Sequence, residues 1–177
     1  MTNLRPAVFL DRDGVLNRLV ERDGGAYSPR RFADFSLFPD TKLALSILKD
    51  SAYLLVVVTN QPDIARGLME QSELDAMHEA LRRDTPVDAI YTCTHDSTDD
   101  CECRKPKPGM ILTAARDMEI DLSSSWTIGD RANDIIAGRN AGTRLIHVAS
   151  GQEFCPDVPD TVAKDNLLDA VRFIFAR

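Results

Sequence analysis

The chain lacks any excess of positive charge: 21 lysines and arginines stand against 28 aspartates and glutamates, for a formal net charge of −7. This excludes a broad nucleic-acid-binding face, because phosphate backbones are held mainly by clustered cations. An anionic ligand would need a local basic patch. No apolar run approaches the roughly 20 residues that cross a bilayer, and the opening MTNLRPAVFLDRDG lacks the long apolar region of a secretion signal. A cytoplasmic protein with no membrane partner is expected. Repeats, low-complexity tracts and Ser/Gly-rich linkers are also missing, so the 177 residues are expected to form one domain, 1–177, acting as a monomer. Cysteine is scarce, with four in all, and Cys93, Cys101 and Cys103 crowd together while Cys155 stands apart. Such clustering is unlike a disulfide framework and points to a metal in a reducing compartment.

What is present is an alternation. Short β-rich apolar runs recur at 7–11 (AVFLD), 54–60 (LLVVVTN), 89–93 (AIYTC), 125–130 (SWTIGD) and 143–149 (TRLIHVA). Between them the apolar residues follow a helical period. Leu43, Ala44, Ile47 and Leu48 share a face after an Asp40 cap, and Leu74, Met77 and Leu81 share one after Ser72. A third helix is expected to open at Pro108 and bury Ile111, Leu112, Ala115 and Met118, and a fourth to occupy 131–141. Leu167, Leu168, Val171, Ile174 and Phe175 mark a docked final helix. Strand alternating with helix predicts an α/β fold, a Rossmann-like three-layer sandwich with a mostly parallel sheet. The segments 17–39 and 94–107 each follow a strand, so both should lie at the carboxyl edge of the sheet, where open α/β folds bind ligands.

Chemistry-bearing residues sit at the same strand ends. Asp11 and Asp13 close the first run, and Asp130 and Asp134 follow the fourth. If those strands are neighbours, three or four carboxylates converge and raise one another's pKa unless a hard cation neutralises them; oxygen-only ligation of this kind suits Mg²⁺. Magnesium usually shares its coordination with substrate phosphate, which points to phosphoryl transfer. Thr59 and Asn60 at the second strand end, with Arg104, Lys105 and Lys107 in CRKPKPG, could bind phosphoryl oxygens. Taken singly, each has a plainer reading: a D-x-D is often a turn or cap, and Asp134 or Arg131 could serve only its own helix. Their ordered appearance after separate strands favours a site. Separately, Cys93, His95, Cys101 and Cys103 supply four ligands for tetrahedral Zn²⁺ in a loop of about 93–103. With every coordination position taken by protein, that zinc would be structural. His78 and His147 have no catalytic context in the sequence.

In order, DRDGVLN, TNQPDIARG, CRKPKPGM and GDRANDI resemble the four motifs of the haloacid dehalogenase (HAD) superfamily phosphatases, over nearly the whole chain. Within it the chain looks most like the small capless branch of heptose bisphosphatases and histidinol phosphatases. The resemblance implies a phosphatase without a cap domain in which Asp11 is the nucleophile and Asp13 the acid and base. It also implies that Mg²⁺ is held by Asp11, the backbone carbonyl of Asp13 and Asp130, and that Thr59, Asn60 and Lys105 fix the phosphoryl group. This branch carries a zinc loop at the same place. The implied substrate is a phosphorylated sugar, a heptose bisphosphate in surface-glycan precursor synthesis, with histidinol phosphate as the alternative. Arg104, Arg66 and Arg131 are the candidates for further substrate contacts, Arg66 having a structural reading as well. A receiver-like signalling domain would share the sheet, the acid and the lysine, but its acceptor lies on a middle strand.

Overall fold

The computed structural model describes residues 4–149 and 158–176, and Cys155 lies outside them. Six strands form one sheet in the order β5-β4-β1-β6-β7-β8, with β1 Ala7–Leu10, β4 Leu54–Asn60, β5 Ala89–Cys93, β6 Trp126–Gly129, β7 Arg144–Val148 and β8 Thr161–Lys164. Every pairing within that sheet is parallel. Central strands of such a sheet are covered on both faces, and AVFL of β1 is accordingly buried throughout. Alternate residues of that strand serve opposite layers. Val8 and Leu10 join the cluster that includes Leu45 and Leu48 of α1 Thr41–Asp50 and Val171 of α5 Leu167–Phe175. Ala7 and Phe9 join the one that includes Ile111 of α3 Gly109–Asp117 and Ala137 of α4 Ala132–Ala141. The three-layer sandwich expected from the alternation is therefore present.

The chain leaves β1 toward β4 and β5 on one side, then returns to β6 on the other. The carboxyl ends of β1, β4 and β6 thus surround a topological switch point. Register places Leu10 beside Val57 and Ile128, so the residues after each of these strands emerge together.

Several expectations are corrected in detail. Segment 17–39 is more ordered than its composition suggested: it contains an antiparallel hairpin, β2 Val20–Arg22 and β3 Gly25–Tyr27. Strand β8 has weak apolar character and was not expected. Helix α2, Gln71–Asp84, begins before Ser72, with Glu70 as its N-cap, and Asp40 makes no side-chain cap bond. Leu43, Leu112 and Phe175 are exposed. In α1 the buried positions are Thr41, Ala44, Leu45 and Leu48, an i, i+3, i+4, i+7 stripe that leaves Leu43 to one side.

His78 on α2 is buried, and its pKa is lowered to about 4 by burial first and then by Arg12 and Arg82. An unfolded histidine takes up a proton near pH 6.5. Between pH 6.5 and 4 the unfolded chain therefore binds a proton that the folded one refuses, and stability falls as pH falls. Urea titrations of H78Q are expected to lose about 2 kcal/mol less between pH 7 and 4.5 than the unsubstituted protein. Identical losses would show that His78 does not set the acid limb.

Candidate active site

The carboxyl edge carries a cavity of about 210 Å³, whose walls include Asp11, Asp13, Asn60, Lys105 and Asp134. Three acids meet there: ligand oxygens of Asp11, Asp130 and Asp134 all lie within 4.8 Å of one another, and all three residues are buried. Asp11 is anchored by its own N–H on the Ile128 carbonyl at 3.0 Å, a direct consequence of β1 pairing with β6. Asp134 reaches the cluster because Gly129 has no side chain: a Cβ there would lie 2.1 Å from the Asp134 Cβ. His147 donates from Nε2 to the Asp130 carbonyl at 3.0 Å, a support that the sequence did not suggest.

Lys105 crosses this cluster. Its Nζ donates to Asp11 Oδ1 at 2.7 Å and the Val58 carbonyl at 2.7 Å, and it forms an ion pair with Asp134 Oδ1 at 2.6 Å. Burial works against its charge, but Asp11 and Asp134 outweigh burial and raise its pKa well above the ordinary lysine value. Asn60 holds the lysine's backbone from both sides: Nδ2 donates to the Lys105 carbonyl at 3.1 Å, and Oδ1 accepts the Lys105 N–H at 3.1 Å. In this arrangement Asn60 and Lys105 orient the acids.

Asp13 stands apart from the three clustered acids. Arg12 reaches it with Nε on Oδ1 at 3.1 Å and Nη2 on Oδ2 at 3.0 Å; Asn17 adds 2.9 Å and Gln61 2.7 Å. Burial alone would raise the Asp13 pKa, but Arg12, Asn17, Gln61 and Ser28 together lower it. Each of the two N-terminal aspartates is thus answered by its own cation, Lys105 for Asp11 and Arg12 for Asp13. Sequence reasoning missed Arg12, Asn17 and Gln61. For Arg12 the available signal was its place between two aspartates just past a buried apolar strand.

Asp11 is the opposite case. Its pKa is raised well above the carboxylate range, first by burial and then by Asp134, with Lys105 opposing and Asp130 and Asp13 adding to the rise. Three carboxylates gather around one ammonium in an oxygen-only setting. That donor set fits a divalent hard cation such as Mg²⁺. The fit brings in the side chain of Asp134, which the sequence placed among the converging acids and which the family resemblance did not include among the magnesium ligands. Asp134 does both, since Oδ2 also accepts the Arg131 backbone N–H at 3.0 Å.

The remaining candidates are distributed as follows. Thr59 is buried beneath the cavity and its Oγ1 accepts from Gln61 at 2.8 Å. Arg104 lines the cavity, with Nη1 on the His95 carbonyl at 3.1 Å. Arg66 and Arg131 also line it. Arg66 is committed to Asp96 by two bonds of 2.8 and 2.6 Å, which tie the 61–68 loop to the cysteine loop. Arg30, missed in the sequence, joins the rim through Asp63 at 2.6 Å.

Behind Arg104 the cysteine loop closes on itself. Sγ of Cys93 lies 3.6 Å from Cys101 and 3.0 Å from Cys103, Cys101 and Cys103 are 3.6 Å apart, and His95 Nδ1 is 3.6 and 3.2 Å from Cys93 and Cys103. Thiolates at about 2.3 Å from a tetrahedral ion would be about 3.8 Å apart. The four ligand atoms therefore fit zinc with small outward shifts.

Clustered acids at the switch point, a lysine delivered from a later loop and an open rim define a HAD-type phosphohydrolase site. A family model described as "HAD-hyrolase-like" matches residues 102–171. D-glycero-beta-D-manno-heptose-1,7-bisphosphate 7-phosphatase of Pasteurella multocida (strain Pm70) is 38% identical, covering 87% of each chain. The protein of that name from Escherichia coli (strain K12) is 35% identical, covering 86% of this chain and 83% of the relative. Among solved structures, D,D-heptose 1,7-bisphosphate phosphatase of B. bronchiseptica, complexed with magnesium and phosphate, superposes with a TM-score of 0.83 at 30% identity, over 97% of this chain and 98% of the other. The chain belongs to the HAD phosphatases, in the family that these heptose bisphosphate phosphatases form.

Proposed function

We propose that this chain hydrolyses the 7-phosphate of D-glycero-D-manno-heptose 1,7-bisphosphate, in the cytoplasm, through a phosphorylated Asp11. The observation that carries the reading is the convergence of Asp11, Asp130 and Asp134, two of them paired with Lys105, in a chain so similar to enzymes named for that substrate. A Mg²⁺ ion held by Asp11, Asp130 and either Asp134 or the Asp13 carbonyl would neutralise the acids and polarise the phosphoryl oxygens. Asp11 attacks phosphorus as the free carboxylate, and Lys105 keeps that carboxylate aimed. Asp13 serves the oxygen that departs and then the water that arrives: it gives its proton to the sugar oxygen in the first step and takes one from water in the second. The donors gathered on Asp13 favour its ionised form, the form that activates water in the second step, so the proton that it gives in the first step is held against them. Arg104, held near the cavity by the cysteine loop, supplies positive charge for the phosphate that is retained. Thr59 and Asn60 secure the floor, and Arg66 and Arg131 shape the rim. A Zn²⁺ bound by Cys93, His95, Cys101 and Cys103 would hold Arg104 and Lys105 in register.

Phosphate release should be compared for heptose 1,7-bisphosphate and histidinol phosphate, with and without magnesium. The expected result is a kcat/KM at least about 10²-fold higher for the bisphosphate, because the second phosphate is bound by charge-assisted contacts that histidinol phosphate cannot make. A preference for histidinol phosphate would overturn the assignment of substrate.

A further inference from the structure

Arg12 separates the two aspartates of the DRD sequence, and its side chain is fully enclosed. Taking a guanidinium out of water costs several kcal/mol unless its geometry is well satisfied. Here the fork grips one partner at two points, Nε on Asp13 Oδ1 and Nη2 on Oδ2, and its ζ-carbon lies 5.7 Å from the centroid of the Phe35 ring. Nη1 makes no hydrogen bond among the described residues. The charge is therefore directed to Asp13 and to little else. A single bond to a carboxylate leaves the group free to swing, whereas two parallel bonds define its plane; lysine, a point charge, cannot do this. Asn17 on Oδ1 and Gln61 on Oδ2 brace the same plane from the other edges.

We propose that Arg12 is a positioning residue that holds the plane of the Asp13 carboxylate for proton transfer with the leaving oxygen and with the attacking water. The proposal rests on the reading of Asp13 as acid and base, and it predicts a particular split between the two half-reactions. In the first, the Asp11 oxygen–phosphorus bond forms, the bond from phosphorus to the leaving oxygen breaks, and that oxygen takes a proton from Asp13 if it is a sugar alkoxide. A nitrophenolate leaves without a proton. In the second, water attacks phosphorus, its proton passes to Asp13, and the bond to Asp11 breaks; this step needs Asp13 whatever the substrate.

The test is rapid-mixing kinetics of R12M, R12K and D13N with p-nitrophenyl phosphate and with heptose bisphosphate, in the zinc- and magnesium-loaded protein. For R12M and the aryl ester, a stoichiometric burst of nitrophenolate is expected at no less than about a third of the unsubstituted turnover rate, followed by a steady state slowed about 10²-fold. Acid-quenched protein should retain phosphate on Asp11. With the bisphosphate there should be no burst, and turnover should fall about 10²-fold. R12K, which keeps the charge without the fork, should show the same split at about 10-fold, and decides the matter if R12M does not fold. Equal loss in burst and steady state, or no loss in either, overturns the positioning role. D13N separates the two levels: if it bursts and the Arg12 variants do not, only the role of Arg12 fails. If D13N itself shows no split, the acid–base reading fails, and the proposal with it.

Discussion

Replacement of Asp11 by asparagine is expected to lower turnover about 10⁴-fold or more, the scale seen when a nucleophile is removed from a site that otherwise stays assembled. The amide has the shape of the carboxylate and lacks its nucleophilic oxygen. Lys105 keeps Asp134 and the Val58 carbonyl as partners, so the cluster should hold its form. The fold should not suffer either. In the absence of a cation, burial and Asp134 both disfavour the ionised form of Asp11. Removing the ionisable group relieves the metal-free protein of that cost, so its melting temperature should stay level or rise, and the stabilisation gained on adding magnesium should shrink. Phosphate release and paired thermal melts with and without magnesium measure both effects. Near-normal phosphate release by D11N would reject the covalent mechanism.

Stripping the zinc, or replacing Cys103 with serine, should cost both stability and activity. The loop after β5 has little apolar surface of its own, and its closure depends on three sulfurs and an imidazole meeting at one point. Without a cation the meeting is unfavourable for the Cys93 and Cys103 thiolates. Burial, followed by the hydrogen bond from Cys103, pushes the Cys93 thiol up to about 12. A metal that binds thiolates therefore supplies energy to the fold, in competition with protons. Losing it is expected to lower the melting temperature by about 10 °C, on the basis of about 2–4 °C per kcal/mol for a chain of this size. kcat/KM should fall about 10²-fold, because Arg104 and Lys105 follow the last cysteine directly and lose their register with Asp11. Zinc should restore both quantities, and magnesium neither, since thiolates select the softer ion. Metal analysis showing a zinc-free protein with unchanged melting and activity would remove the structural role.

Much of this site was readable because α/β folds place ligand chemistry at the ends of strands. The apolar runs of β1, β4 and β6 are short and strong, so the residues just past them, Asp11, Thr59, Asn60 and Asp130, stood out without any knowledge of contacts. Cysteine spacing marked the cluster of Cys93, His95, Cys101 and Cys103 in the same way. The hairpin β2–β3 and the strand β8 were obscure because neither has a run of apolar residues; both form at an edge or over a loop, where pairing replaces burial. Leu43 and Leu112 misled because an apolar side chain next to a helical stripe looks the same in sequence as one inside it. Gln61 left no trace because a polar residue's partner is chosen by distance, and it meets Asp13 across 48 positions.

The sequence by itself determined the kind of layer structure, the strand ends at which acids, hydroxyl and lysine would emerge, and the ligand set of the cysteine loop. All of these follow from local periodicity and from spacing within a few residues. Only the tertiary structure decided which acid belongs with which cation. Asp11 and Asp134 share Lys105 with Asp130 beside them, while Asp13, two residues from Asp11, turns to Arg12. The physical reason is competition. Buried charges seek the nearest opposite charge, and that choice exists only after the pairing of β1 with β4 and β6 has brought distant parts of the chain to one edge.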